Sequence, residues 1–250
     1  MSSLIGVLPL GAVGEVGEGF FRERTSGTLP CQAKSGHFFC WDWATEHISR
    51  YGTPTLQQFE LVVISLALGF AVAFLIALLA HRQRWLKGPL LAATGILFTI
   101  PSLAAFFLLL PITGLGRTTA ILVLAVYTLQ IIYRNMILGL ENVPSSVVDA
   151  ARGMGLTDRQ ILWRVELPLA TPEIIAGLRV ATVSTIAIAT LAVFINAGGL
   201  GSQILGSGNL TFPTTIIISA TIVVLMALAF DLVLLTIQRL ITPWRRARAI

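Results

Sequence analysis

Charge is what this chain has least of. Only 12% of its 250 residues are Asp, Glu, Lys or Arg, against 55% hydrophobic, and the mean hydropathy is +0.84. Soluble domains carry about a quarter charged residues, so this scarcity excludes an ordinary soluble protein and points to a polytopic, all-α membrane protein. The net charge of +5 comes from 17 basic residues scattered among apolar runs; with no single basic face, they argue against a nucleic-acid partner. Cysteine is nearly missing too. Cys31 and Cys40 are the only two, both ahead of the first apolar run; an oxidising compartment lets them close a small loop, the alternative being two free thiols. One His and two Cys at this spacing do not make a four-ligand zinc site, so no metal is expected. The three histidines, His37, His47 and His81, fall outside the apolar runs and far apart, which argues against a membrane enzyme. No GxxxxGK[ST] phosphate loop occurs, so the chain is expected to bind no ATP and to have no ATPase site of its own. Met1 to Gly14 is apolar but lacks a basic n-region, and no cleaved leader is expected.

What is present is a series of charge-free runs. Leu61 to Ala80 contains no charge and is long enough for the ~30 Å hydrocarbon core. Pro89 to Gly116 and Thr118 to Tyr133 follow, separated by a turn at Gly114, Gly116 and Arg117. Val180 to Phe230 is uncharged throughout; as a single helix it would measure about 76 Å and overrun a bilayer. The turn formers between Asn196 and Pro213 must therefore reverse the chain. Five transmembrane helices result, at about 58–80, 89–111, 118–140, 172–195 and 214–238. An N-terminal segment, 1–54, precedes a membrane domain, 55–239; a basic tail, 240–250, ends the chain. Trp41, Trp43 and His47 suggest a helix lying on the membrane surface before the first span.

Basic residues orient the bundle. Arg82, Arg84 and Lys87 follow the first span, Arg134, Arg152, Arg159 and Arg164 surround the loop after the third, and Arg239, Arg245, Arg246 and Arg248 follow the fifth. The short loops opposite carry only Arg117. The N-terminus is expected outside and the C-terminus in the cytosol.

The longest polar stretch within this pattern, Asp149 to Pro168, lies in a cytosolic loop at 141–171. Ser146 and Asp149 have the spacing of a capping box, predicting a short helix that stops at Gly153 to Gly155. Thr157 and Gln160 have the same spacing and start a second helix, with Asp158 at its positive end and Pro168 closing it. Ile161, Leu162 and Val165 should face the bundle and leave Arg159, Gln160 and Glu166 to solvent or a partner. Thr171 and Pro172 should start the fourth span.

Asp149, Ala150, Ala151, Gly155, Val165, Leu167 and Pro168 together resemble the EAA signature of type I ABC importer permeases, with Asp for the usual Glu and Val for the usual Ile. The wording around it, RNMILGLENVPSSVVDAARGMG, VELPLATPEIIAGLRVATV and INAGGLGSQI, is similar to permeases for glycine betaine, choline, carnitine and related osmoprotectants. The resemblance covers roughly Thr55 to Arg239; the long N-terminal tail departs from it. It implies a permease subunit in a bacterial inner membrane that forms the path for a small osmoprotectant. It also implies separate partners: a cytosolic ABC ATPase dimer holding ATP and Mg, a substrate-binding protein outside, and a second permease, identical or paralogous. Asp149, Ala150, Ala151, Gly155, Leu167 and Pro168 would then couple the permease to the ATPase. A permease for another small solute such as an amino acid, or a gradient-driven secondary transporter, is the alternative.

Within the spans, ionisable residues are costly and therefore informative. Arg179 and Asp231 lie at similar depths and are expected to pair across a helix interface, while Arg134 snorkels. Pro101 should kink the second span. A quaternary ammonium ion is recognised through aromatic faces, for which Phe98, Phe106, Phe107, Tyr127 and Phe194 are candidates, with ordinary packing as the alternative. Pro101, Tyr127 and Phe194, with the turn glycines Gly198, Gly199 and Gly201, are the candidates for the path or its gate.

Overall fold

A computed structural model describes residues 39–205 and 213–243. The described residues fall into two units, 39–46 and 47–243. In the first, α1 (Trp41–His47) follows Cys40, which is buried and disulfide-bonded. Cys31, its expected partner, lies outside the described residues. Trp41 is 75% exposed and meets the Phe39 ring edge-on at 5.0 Å.

Every secondary-structure element among the second unit's described residues is helical. Its first helix, α2 (Gly52–Arg82), starts well before the charge-free run at Leu61. Glu60 does not interrupt it, because the carboxylate pairs with Arg117 at 3.0 Å. His81, expected outside the spans, belongs to the last turn of the same helix.

The second span is broken rather than kinked. Helices α3 (Lys87–Thr99) and α4 (Ser102–Thr113) meet at 96°. Ile100 between them is extended, ψ 127°, as the ring of a following proline demands. Among the described residues, four helical segments are thus individually long and apolar enough to cross a membrane, five spans if the bent pair counts as one. Helix α5 (Arg117–Glu141) starts after Gly114 and Gly116, both at positive φ, as the turn between the second and third runs predicted.

The loop that follows contains α6 (Ser145–Gly153) and α7 (Asp158–Ile161). Pro168 does not end the second of these. A π-helical turn, Leu162–Glu166, joins α7 directly to α8 (Leu167–Ala189). This turn places Pro168 in the first turn of α8, where a missing N–H has little partner to lose. Thr171 is interior to α8 rather than its cap, and its hydroxyl donates to the Leu167 carbonyl at 2.9 Å. Pro172, also interior, has its own carbonyl held by Gln238 Nε2 at 2.9 Å. A 3-10 turn, Thr190–Ile195, extends α8; the short α9 (Gly201–Leu205) and the long α10 (Pro213–Ile241) complete the unit.

Helix α5 is central, packed between α2 and α8. Small residues make that approach possible: Ser65, Gly69, Ala73 and Ala77 recur every four positions along α2 and are all buried. A Cβ at Gly69 would lie 2.8 Å from the Ala125 carbonyl and from Thr128 Cβ, so only glycine fits there. Between helices in lipid, such close contact replaces the hydrophobic drive that water would supply. The Thr128 and Thr185 hydroxyls, 3.0 Å apart, tie α5 to α8. Half of α5's apolar window is buried but only 6% of α10's, leaving Val224, Leu228, Leu232 and Val233 more than half exposed.

Candidate functional site

The loop between α5 and α8 is folded by local hydrogen bonds. Helix α6 ends in a Schellman motif: Leu156 N–H reaches the Ala151 carbonyl at 3.2 Å and Gly155 N–H the Arg152 carbonyl at 3.0 Å. This reversal needs a left-handed residue, and Gly155 supplies it with φ +85°. A capping box at once starts α7, where Gln160 N–H donates to Thr157 Oγ1 and Thr157 N–H to Gln160 Oε1. The other predicted box is not formed. Pro144, extended with its φ fixed near −60°, already launches α6 at Ser145, with no side-chain cap. Ser146 therefore falls inside the first turn, and Asp149 turns to Arg152, 3.7 Å away. Arg152 also reaches Asp158 at 3.2 Å, bridging α6 to α7 across the glycine.

One side of this elbow is anchored. Leu162 packs with Leu140 and Ala170, and Ala151 and Ile161 are 2% exposed. Trp163 meets Phe74 of α2 at 6.2 Å. Glu166, expected to be left to solvent or a partner, instead pairs with His81 at 2.9 Å and is mostly covered, because the π turn rotates it toward the end of α2. The other side is free: Asp149, Ala150 and Gly155 are exposed, Met154 is 74% exposed, and a Cβ on Gly155 would have nothing within 4 Å. Leu167 and Pro168 are half-buried at the start of α8, away from that exposed edge. The six predicted coupling residues thus divide into an exposed edge, a buried anchor at Ala151, and the Leu167–Pro168 root. Arg82, Arg84, Lys87 and Arg159 line a cavity of about 800 Å³ beside the loop, with Glu141 and Asp158.

Pro101 and Tyr127 are brought together. Tyr127 is buried, and its hydroxyl donates to the Ile100 carbonyl, pinning the break before Pro101, while its ring lies 5.4 Å from Phe98. Phe106 is fully buried in the core; Phe98, Phe107 and Phe194 are 41 to 48% exposed.

Gly198, Gly199 and Gly201 form a tight reversal after the 3-10 turn, opened by Asn196 in the left-handed region at φ 58°. Two glutamines, unanticipated from the sequence, hold it. Gln57 Oε1 accepts from Gly199 N–H at 3.0 Å, and Gln58 Oε1 from Leu200 N–H at 3.2 Å. Gln58 is fully buried and its Nε2 donates to the Ile186 carbonyl at 3.0 Å. A Cβ on Gly198 or Gly199 would strike these amides, and one on Gly201 the Thr190 carbonyl. The signal was legible in principle: two adjacent amides heading an apolar run need buried partners.

Arg179 and Asp231 do pair. Nε donates to Oδ1 at 2.7 Å and Nη2 to Oδ2 at 2.8 Å, a two-pronged contact between α8 and α10. The side chains are 27% and 31% exposed on a groove of about 410 Å³ shared with Ala176, Val180, Val183 and Ser184.

Comparison with known proteins matches residues 61–247 to the family described as binding-protein-dependent transport system inner membrane component. A choline transport system permease protein of Bacillus subtilis (strain 168) is 35% identical over 189 residues, 76% of this chain and 87% of that protein. A glycine betaine/carnitine/choline transport system permease protein of the same organism is 36% identical over 207 residues, 81% and 90% of the two chains. An osmoprotectant import permease protein of Salmonella typhimurium (strain LT2) is 34% identical over 194 residues, 76% and 90%. An inward-facing structure of the MetNI methionine ABC transporter aligns with a TM-score of 0.71 at 21% identity, covering 77% of this chain and 96% of that one. An amino acid ABC transporter solved with histidines gives 0.69 at 19%, covering 80% and 98%. These two likenesses concern the fold alone.

Proposed function

This chain belongs to the binding-protein-dependent transport system inner membrane components, and from that premise we propose that it is the permease subunit of an ATP-driven importer of a small osmoprotectant. Glycine betaine, choline and carnitine, named for its relatives, are the solute class. Its ATPase is a separate cytosolic dimer that holds the ATP and Mg; a binding protein delivers solute from outside, and a second permease, identical or paralogous, covers the exposed face of α10. The N-terminus lies outside and the C-terminus in the cytosol, so that the loop of α6 and α7 meets the ATPase.

One observation carries this reading: the exposed edge at Asp149, Ala150 and Gly155 belongs to an elbow whose opposite side is locked to α2, α5 and α8. A push on that edge is transmitted to the bundle because the anchor is close-packed, and packed interiors transmit strain rather than absorb it. In liposomes, the permease with its ATPase and binding protein should take up glycine betaine or choline only with ATP, and continue when ion gradients are collapsed. Solute flux through the purified chain alone would overturn the proposal.

A further inference from the structure

Asp231 stands ten residues before the end of α10 at Ile241, about 15 Å along the axis and inside a helix long and apolar enough to cross a membrane. Arg179 is level with it on α8. Their contact leaves part of each group unused. A guanidinium has five N–H donors and a carboxylate about four acceptor positions; two of each are engaged, and among the described residues the remainder have no partner. Both residues line the groove, whose other lining is small or aliphatic and, apart from Ser184, apolar. Facing hydrocarbon they would be expensive, and intramembrane charges characteristically border a solute path instead. A volume of about 410 Å³ is at the small end of ligand sites.

We propose that Arg179 and Asp231 form a fixed dipole on the solute path that selects zwitterions over simple cations, a reading that rests on the permease function above. The pair stays closed while solute passes. A zwitterion lies antiparallel to it, its carboxylate accepting from the free guanidinium N–H groups and its onium group, which has no hydrogen to donate, attracted to the outer carboxylate oxygens of Asp231. Two neutral pairs meet, and the low-dielectric groove carries no net charge. A cation such as choline satisfies only Asp231 and leaves one uncompensated positive charge, so it remains a solute but passes more slowly than a zwitterion.

The test uses the complete importer in liposomes, with binding protein saturated by glycine betaine or by choline, and reads the ratio of the two initial uptake rates. Arg179→Gln leaves a lone carboxylate and should lower the betaine-to-choline ratio by about tenfold, the size of one charge-assisted hydrogen bond. Asp231→Asn leaves a lone guanidinium and should raise it. The double variant Arg179→Gln with Asp231→Asn keeps a neutral, hydrogen-bonded pair and guards against misfolding of the single variants; it should transport both solutes with the preference for betaine reduced. Equal slowing of both solutes at an unchanged ratio, in the single variants or the double one, means the pair only braces α8 against α10 and overturns the proposal. Absence of ATP-dependent uptake by the unmodified importer would instead overturn the permease reading on which it rests.

Discussion

Gly155 is the position at which folding and coupling can be separated. A side chain there must accept φ +85°, which costs an L-residue roughly 1 to 2 kcal/mol. No steric cost is added, because a Cβ would have nothing within 4 Å. The flanking Schellman bonds, the Thr157 capping box and the buried Leu162 anchor do not involve the missing side chain. A loss of about 1 to 2 kcal/mol is small beside the 5 to 15 kcal/mol of a typical domain. Gly155→Asp should therefore insert, purify as a monodisperse species and unfold in detergent only a few degrees below the parent. If the exposed edge is the contact with the ATPase, the new carboxylate enters that contact, and ATP hydrolysis in the reconstituted importer should proceed without solute uptake. The assay compares phosphate release and uptake in the same liposomes, beside a thermal melt of the permease. Uptake at the parental rate would falsify the coupling role of this edge. Collapse of the folded permease would refute the inference that nothing in the chain needs that space.

Three further outcomes follow from the packing. Gln58→Ala leaves the Leu200 N–H and Ile186 carbonyl unpartnered in a fully buried position and should lower stability by about 1 to 3 kcal/mol, visible as an earlier thermal transition; Gln57→Ala, half-exposed, should cost less. Gly69→Val drives side-chain atoms into the Ala125 carbonyl and Thr128 and should cost about 1 to 3 kcal/mol or more, with disulfide trapping between cysteines placed on α2 and α5 reporting the separation; an unchanged melt would disprove the close approach. Tyr127→Phe removes the donor to Ile100 and should cost about 1 kcal/mol while freeing the α3–α4 junction, measured as faster hydrogen exchange at residues 97–103; unaltered exchange would show that Pro101 alone sets the break.

The chain's order along the membrane was legible because hydrocarbon punishes charge one residue at a time. The four described helices long and apolar enough to cross a membrane overlap uncharged runs, and Gly114, Gly116 and Asn196 to Gly201 turn where glycine and asparagine cluster. The elbow was legible for a related reason: Gly155 and the Thr157–Gln160 box act over three to five residues, so their chemistry is local. Spacing also brought Arg179 and Asp231 to one depth. Pro168 and Ser146 were misread because a local signal can be overruled by its neighbours, here the π turn before Pro168 and Pro144 before the serine. The stripe of small residues on α2 has a four-residue period, but that period marks a contact only once α5 is seen packed against it.

Composition and local pattern alone settled that this is a bundle of apolar helices carrying a glycine-broken polar elbow, since burial cost and hydrogen-bond reach are properties of short segments. Only the tertiary structure decided that the second span bends by 96° against Tyr127, that Gln57 and Gln58 clamp a turn some 140 residues away, that Glu166 turns to His81, and that the Arg179–Asp231 pair opens onto a groove. Those choices depend on which atoms a partner helix presents within about 3 Å, and no single segment contains that information.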